Sequence, residues 1–241
     1  MYRPLHFIAL QTTRYSDRHS ILSAYSREMG RVSFLVPAGA GREANRRRAI
    51  LMPFTPVECV AGITPGRDIF TMRDPRPLFP MHIAHADPLR GIVAMFLCEV
   101  TSMVLRENQE DHAMFEYLLQ TADALNSPDI PVANFPITFL YKLGVMVGIE
   151  PDTSGWQPGC ILDMAGGVYR ISRPLHHRYL EADESALAAR LSRITWANMH
   201  ALRLTHAERT RAIDLILEYF TLHYTDLSTL KSLPVLRTLL S

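Results

Sequence analysis

The sequence predicts an α+β protein in which a small five-stranded β-barrel is followed by a mostly α-helical region with a β-hairpin insert. Three observations predict this order. Short runs of β-branched and apolar residues, separated by turn residues, fill the first 80 positions. Apolar residues then recur at helical spacing, and glycines and prolines interrupt that spacing at about residues 149–182. We therefore predict a barrel domain at residues 1–80 and a helical domain at residues 81–241.

Five short strands in 80 residues are typical of a small barrel. Residues 27–30, Arg-Glu-Met-Gly, predict a tight hairpin turn in which Gly30 takes a positive φ. After the third strand, a glycine-led segment opens a basic loop that runs from Arg42 to Arg48. The predicted strands are Leu5–Thr12, Ser20–Ser26, Arg31–Pro37, Ala49–Ala61 and Arg67–Arg73.

A cluster of prolines between residues 75 and 88 marks the change to helical structure. Asp87 and Pro88 are a helix start, because aspartate caps the first turn and proline suits it. Thr205 and Glu208 form a capping-box pattern before another helix. Further helices are predicted at Asp111–Leu125, Phe135–Val147 and Ser185–Ala197, and the hairpin of the insert at Cys160–Met164 and Gly167–Ile171.

The composition excludes several classes of protein. An apolar fraction of 48% with 20% charged residues is ordinary for a globular chain and too apolar for a disordered one. The longest strictly apolar run, Ile92–Cys98, is far shorter than the roughly 20 residues that cross a bilayer. Polar residues interrupt the N-terminus too early for a signal peptide, and the three cysteines are odd in number and scattered. We expect a protein of a reducing compartment, the cytoplasm.

Charge is uneven along the chain, although its formal net charge is only +1. Residues 1–80 contain 12 arginines and six carboxylates, a net charge of +6, so the remainder carries −5. A basic N-terminal part favours a polyanionic partner. A solvated charged surface without such a partner is the alternative interpretation.

The basic loop is the strongest candidate binding site. Guanidinium groups match phosphate oxygens with paired donors, and Arg42, Arg46, Arg47 and Arg48 lie within seven residues. Supporting arginines in the same barrel are Arg14, Arg18, Arg27 and Arg31. Most of the aromatic rings are expected in the barrel core, which leaves Tyr15 and Tyr25 as candidates to stack on bases.

The sequence predicts no metal site, no cofactor and no catalytic set. Structural zinc normally takes four cysteine or histidine ligands, whereas only Cys160, His176 and His177 meet in the insert. The nucleophile, phosphate-loop, dinucleotide and metalloprotease motifs are all absent. Two alternatives to nucleic-acid binding remain open: a non-catalytic protein-interaction scaffold whose barrel is a docking module, and an enzyme with an unrecognised site.

Several segments occur together in a fixed order along the chain: Arg14–Asp17, Arg27–Gly30, Val36–Ala40, Leu51–Phe54, Leu143–Asp152 and Leu230–Leu236. Taken in this order, they resemble the RecO family of bacterial DNA repair and recombination mediators. The resemblance covers nearly the whole chain and depends on the combined order of the segments.

This resemblance implies an N-terminal OB-fold barrel that binds single- and double-stranded DNA and anneals complementary strands. It also implies action with RecR to load recombinase onto DNA coated by single-strand-binding protein, whose acidic C-terminal tail the family contacts, in the cytoplasm at the nucleoid. The residues expected to face DNA are Arg42, Arg46, Arg47 and Arg48, supported by Arg27, Arg31, Arg14 and Tyr25.

Two departures from the family pattern stand out. The zinc-binding cysteine quartet of some members is missing, with Cys160 alone near its place, so the chain resembles a zinc-less variant whose hairpin is held by packing. The helical part is also acidic overall, which suits an acidic tail poorly. Its basic exceptions, which could still serve, are Arg170, Arg173, His176, His177 and Arg178.

Overall fold

The computed structural model describes residues 2–64 and 66–239, so the last two residues of the predicted helical domain lie outside the described part. The chain divides into two compact units, Met1–Pro128 and Asp129–Ser241. The predicted boundary after residue 80 follows the last barrel strand, which ends at Pro77, but it falls inside the first unit. The division into domains at that point therefore stays a prediction.

The predicted five-stranded barrel is confirmed. Its strands close in the order β1-β2-β3-β5-β4, with β3 and β5 parallel and the other pairs antiparallel. Alternate residues point inward, so that Leu5, Phe7, Leu22 and Phe34 form part of one apolar core. The strands are β1 Tyr2–Arg14, β2 His19–Ser26, β3 Gly30–Pro37, β4 Pro56–Gly62 and β5 Ile69–Pro77.

The basic segment after β3 is a helix and not the predicted loop. Helix α1 covers Arg42–Ile50, and β4 begins only at Pro56, so the prediction of a strand from Ala49 was wrong at its start. The helix forms because Ala44 is buried and because Ile50, at its end, and the following Leu51 pack in the barrel core. The fifth strand is also shifted, since β5 begins two residues later and ends four residues later than predicted.

Three helices complete the first unit: α2 at His82–Ala86, α3 at Pro88–Val104 and α4 at His112–Asn126. The predicted start of α3 is confirmed, because the Asp87 side chain accepts a hydrogen bond from the amide of Leu89. The β2–β3 turn is confirmed as well. Gly30 has a φ of 63°, and a β-carbon there would lie 2.3 Å from the carbonyl oxygen of Gln109.

The second unit contains four helices and a small sheet within its described residues. The predicted hairpin is confirmed and gains a third strand, in the order β7-β6-β8. The capping box at Thr205 and Glu208 is also confirmed. Helix α6 starts and ends earlier than predicted, because turns replace it after Leu191. The elements are α5 Phe135–Met146, β6 Ile161–Asp163, β7 Val168–Arg170, β8 Tyr179–Leu180, α6 Ala182–Leu191, a 3-10 turn at Met199–Ala201, α7 His206–His223 and α8 Leu233–Leu239.

Among the described residues, no helix has the length and apolar character needed to cross a bilayer.

Candidate nucleic-acid interface

The β1–β2 loop and the segment that leads into helix α1 meet at one end of the barrel. His19 at the start of β2 pairs with Pro37 at the end of β3. Beyond this pair, the amide of Ala38 donates a hydrogen bond to the carbonyl oxygen of Arg18, with the two atoms 2.8 Å apart. The β1–β2 loop, residues 15–18, is therefore in contact with the segment that leads into α1. We call this surface, formed by residues 14–18 and 38–48, the basic end.

Helix α1 turns two of its arginines directly outward. Arg42 and Arg46 are one helical turn apart and share the face opposite buried Ala44. Both are exposed. Within the described part of the chain, neither side chain makes an ion pair or hydrogen bond. Two guanidinium groups are thus presented to solvent with their donors available to a ligand.

The other two arginines of α1 lie on the flanks of the helix. Arg47 is half-buried, with one nitrogen 3.9 Å from a carboxylate oxygen of Glu43. Arg48 donates to Oδ1 of Asn45 at 2.9 Å and to the carbonyl oxygen of Gly39. Arg48 therefore holds the 38–41 segment against the helix while it contributes positive charge to the same surface.

The β1–β2 loop adds two arginines and a ring. Arg14 pairs with Asp17 at 2.5 Å on the surface, and Arg18 is exposed. The Tyr15 side chain is 66% exposed, so one face of its ring is open to stacking. Residues 14–18 and 38–48 together hold six arginines and two carboxylates, a formal net charge of +4. The end of the barrel is consequently a concentrated site of positive charge.

Three predicted residues lie elsewhere. Arg27, Arg31 and Tyr25 are at the turn end of the β2–β3 hairpin, whereas the basic end is at its other end, roughly 20 Å away for strands of this length. Arg31 donates to Oγ of Ser23 and to the carbonyl oxygen of Ser102, at 3.0 and 2.9 Å. Burial, together with the charge of Arg106, lowers the pKa of Arg31.

Tyr25 cannot serve as a stacking platform in this fold. Its side chain is only 3% exposed, and it pairs across the hairpin with Arg31. Of the two tyrosines favoured from the sequence, only Tyr15 is available. A further exposed ring, Tyr2, lies under the guanidinium of Arg73 at 4.3 Å from the ring centroid, outside the basic end.

Sequence reasoning underrated Arg18, which it treated as one of several barrel arginines. The predicted turn at residues 27–30 contained the signal that would have placed it. Counting outward from a four-residue turn at 27–30 pairs His19 with Ala38, one residue from the observed partner Pro37, and so already puts Arg18 next to the segment that leads into α1. The fold of α1 over the barrel carried no comparable signal.

Within the described residues, neither the insert nor the cysteines form a metal site or a reactive thiol. Among residues 2–64 and 66–239, no three histidine, cysteine, aspartate or glutamate side chains are grouped to hold a metal. Cys160 is buried, and His176 lies 3.3 Å from Asp163. Burial raises the pKa of the Cys59 thiol to about 12, which disfavours a thiolate near neutral pH. The predicted absence of a metal and a cofactor stays a prediction.

Comparison with known proteins gives one consistent result. The family described as Recombination protein O N terminal matches residues 5–79, and the family described as Recombination protein O C terminal matches residues 85–234. A DNA repair protein RecO from Phocaeicola vulgatus is 31% identical over 234 residues, with 97% of both chains covered. Proteins of the same name from Porphyromonas gingivalis and Bacteroides fragilis are 32% and 30% identical, with 96% of both chains covered.

Proposed function

This chain belongs to the RecO family of DNA repair proteins, and from that membership we propose that the basic end of its OB-fold barrel binds DNA and supports strand annealing. The observation that carries the proposal is the pair Arg42 and Arg46, exposed on one face of α1 without partners in the described structure. Guanidinium donors in this state suit phosphate oxygens, and the net charge of +4 around them attracts a polyanion.

Annealing requires that the strand be held while its bases stay free to pair. The outer faces of β2, β3 and β5 carry no exposed phenylalanine, tyrosine or tryptophan ring among the described residues. Among the apolar side chains of these strands, those of Ile21 and Leu35 are half-buried and that of Ile69 is exposed. This supports a mode in which the arginines hold phosphates, Tyr15 anchors one base, and neighbouring bases remain unstacked on the protein.

The same proposal makes the chain a mediator that does not catalyse a reaction and needs neither metal nor cofactor. It acts with RecR to load recombinase onto DNA coated by single-strand-binding protein, in the cytoplasm at the nucleoid. The family resemblance supports these finer steps.

For the acidic tail of single-strand-binding protein, we propose a cleft of the second unit in place of the basic pieces of the insert. Arg170 and Arg173 are already paired with Asp163 and Glu181, at 3.0 and 2.7 Å. A cleft of about 270 Å³ has Arg190 and Arg193 beside apolar side chains. An acidic peptide with apolar residues finds both kinds of contact there. The apolar lining includes Trp156, Ile194 and Leu202.

The DNA-binding proposal is tested by mixing two complementary oligonucleotides with the protein and following annealing by fluorescence quenching. The double variant Arg42→Ala, Arg46→Ala should anneal at least tenfold more slowly at the same protein concentration. The matched control, Arg106→Ala with Arg203→Ala, removes two exposed arginines outside the basic end and should anneal normally. Equal rates for both double variants would favour the protein-interaction scaffold instead.

The tail proposal needs a separate measurement, because it concerns the second unit. A labelled acidic peptide that ends in an apolar residue should bind the wild-type chain and lose at least tenfold in affinity with Arg190→Ala, Arg193→Ala. The variant Arg42→Ala, Arg46→Ala should bind this peptide as wild type does. If instead Arg42→Ala, Arg46→Ala weakened peptide binding and Arg190→Ala, Arg193→Ala did not, the tail would bind at the barrel.

A further inference from the structure

The loop between β7 and β8 exposes two aliphatic side chains almost completely. Leu175 is 106% exposed and Ile171 is 81% exposed, the two highest values among the large apolar residues of the described structure. They lie four residues apart in a segment without regular secondary structure. Exposed aliphatic groups are costly in water, and neighbouring ones mark an interaction site where scattered single ones do not.

The loop is held in position by contacts on both sides of Leu175. Asp163 is buried and accepts hydrogen bonds from the amide of Gly166 at 2.8 Å and from Nε of Arg170 at 3.0 Å. Nε2 of His176 lies 3.3 Å from Oδ1 of the same Asp163 carboxylate. Residues before and after Leu175 therefore share one buried anchor.

The loop begins and ends on the small sheet as well. Arg173 pairs with Glu181 at 2.7 Å, and the amide of Met164 donates to the carbonyl oxygen of Arg178 at 3.0 Å. These contacts leave the apolar side chains projecting outward. The loop is therefore anchored to the small sheet while its two apolar side chains stay exposed.

The charge of the loop selects an anionic partner. Residues 170–178 contain three arginines and two histidines and no carboxylate, inside a part of the chain that is acidic overall. Arg170 and Arg173 are paired within the protein, whereas the side chains of His177 and Arg178 make no ion pair within the described residues. A ligand that approaches Leu175 therefore meets at least two groups that favour negative charge.

We infer that the Ile171–Arg178 loop is a second DNA contact, at which Leu175 inserts between neighbouring bases of a single strand while Arg178 and His177 contact the flanking phosphates. A protruding apolar group needs a slot in its partner, and stacked bases open such slots for aliphatic wedges. An acidic peptide would instead need a cleft on the protein for its own side chains. The inference rests on the proposed function, because it assumes that the chain binds DNA.

The test uses the full chain and a single-stranded oligonucleotide that contains 2-aminopurine, whose fluorescence rises when it is unstacked. Wild type should raise the fluorescence at saturating protein, and Leu175→Ala should abolish most of that rise while affinity falls about threefold. Leu175→Met keeps an aliphatic wedge and should keep the rise. The control Met95→Ala removes another exposed apolar side chain, on α3, and should behave as wild type.

Leu175→Ala is not expected to impair folding, because the side chain makes no buried contact, and thermal unfolding provides the check. Unchanged fluorescence with Leu175→Ala, while Arg42→Ala with Arg46→Ala still weakens binding, would overturn the wedge and leave the proposed function standing. If Leu175→Ala lost binding of the acidic peptide but kept oligonucleotide binding, the inferred DNA contact would be overturned in favour of a protein partner. Failure of the wild-type chain to bind any oligonucleotide would instead refute the proposed function.

Discussion

The guanidinium of Arg31 donates a hydrogen bond from Nη1 to the carbonyl oxygen of Ser102, with the two atoms 2.9 Å apart. This contact joins strand β3 to the C-terminal turn of helix α3, where backbone carbonyls lack partners within the helix. A positive group also suits that end of the helix dipole. Arg31 thus has a structural role in joining β3 to α3, although the sequence predicted that it supports DNA binding.

We predict that Arg31→Ala lowers the free energy of unfolding by about 1–3 kcal/mol, because charged hydrogen bonds to Ser23 and Ser102 are lost. Urea unfolding followed by circular dichroism measures this change. The affinity for an oligonucleotide, measured where the variant is folded, should stay within about twofold of wild type. A large fall in affinity with unchanged stability would return Arg31 to the binding surface.

A second prediction concerns Gly30, whose φ of 63° and close approach to Gln109 both require glycine. Gly30→Ala should lower the free energy of unfolding by at least about 2 kcal/mol, since backbone strain adds to a clash with backbone atoms. Gly91 in α3 is the matched control, because a β-carbon there meets nothing within 4 Å. Gly91→Ala should raise stability by about 0.5–1 kcal/mol. Equal effects of the two substitutions would contradict this account of the turn.

The buried carboxylate of Asp163 should make the insert sensitive to acid. Burial alone would raise the pKa of Asp163, but the hydrogen bonds from Gly166 and Arg170 and the charge of His176 outweigh it and hold the pKa below its usual range. A lowered folded-state pKa stabilises the fold above the unfolded value of about 4, and this contribution is lost as the pH falls through the folded value.

Accordingly, Asp163→Asn should cost about 1–3 kcal/mol of unfolding free energy at pH 7. The difference between wild type and variant should shrink as the pH falls below about 4, where the wild-type carboxylate begins to lose its advantage. Urea unfolding at a series of pH values measures both quantities. A difference that is the same at all pH values would mean that the charge of Asp163 is not what stabilises the hairpin.

The two tyrosines give a fourth prediction. Tyr15→Ala should weaken binding of a single-stranded oligonucleotide about fivefold, or about 1 kcal/mol, through loss of one stacking contact. Tyr15→Phe keeps the ring and should bind as wild type does. Tyr25→Phe also should not change affinity, because Tyr25 is buried. Fluorescence anisotropy of a labelled oligonucleotide distinguishes these outcomes, and an effect of Tyr25→Phe larger than that of Tyr15→Ala would reverse the assignment.

Local signals in the sequence were sufficient for the barrel, the β2–β3 turn and the capped helices. Gly30 marks a turn that needs a positive φ, and Asp87 and Thr205 each cap the helix that follows them. Each of these features is determined within a few residues. The third strand of the insert, Tyr179–Leu180, is too short to leave a periodic pattern, and it exists because it pairs with β6.

Features that depend on distant packing could not be predicted in the same way. The segment Arg42–Ile50 has only three apolar residues and resembles a solvated loop, yet its last residue, Ile50, and the following Leu51 pack against the barrel core and hold the segment there as a helix. Tyr25 is buried although it is not part of the barrel core, which holds its neighbour Ala24 on the opposite face of the strand. The α3 contact at its neighbour Arg31 shows that this side of the hairpin is covered.

The most direct test of the central claim is the salt dependence of binding to a single-stranded oligonucleotide. Each lost phosphate contact should reduce the slope of log K against log salt by about 0.7, so Arg42→Ala with Arg46→Ala should bind more weakly with a slope shallower by about 1.4. Arg106→Ala with Arg203→Ala should leave the slope as in wild type. Wild-type affinity and slope in the Arg42 and Arg46 variant would contradict the claim that the outer face of α1 contacts DNA phosphates.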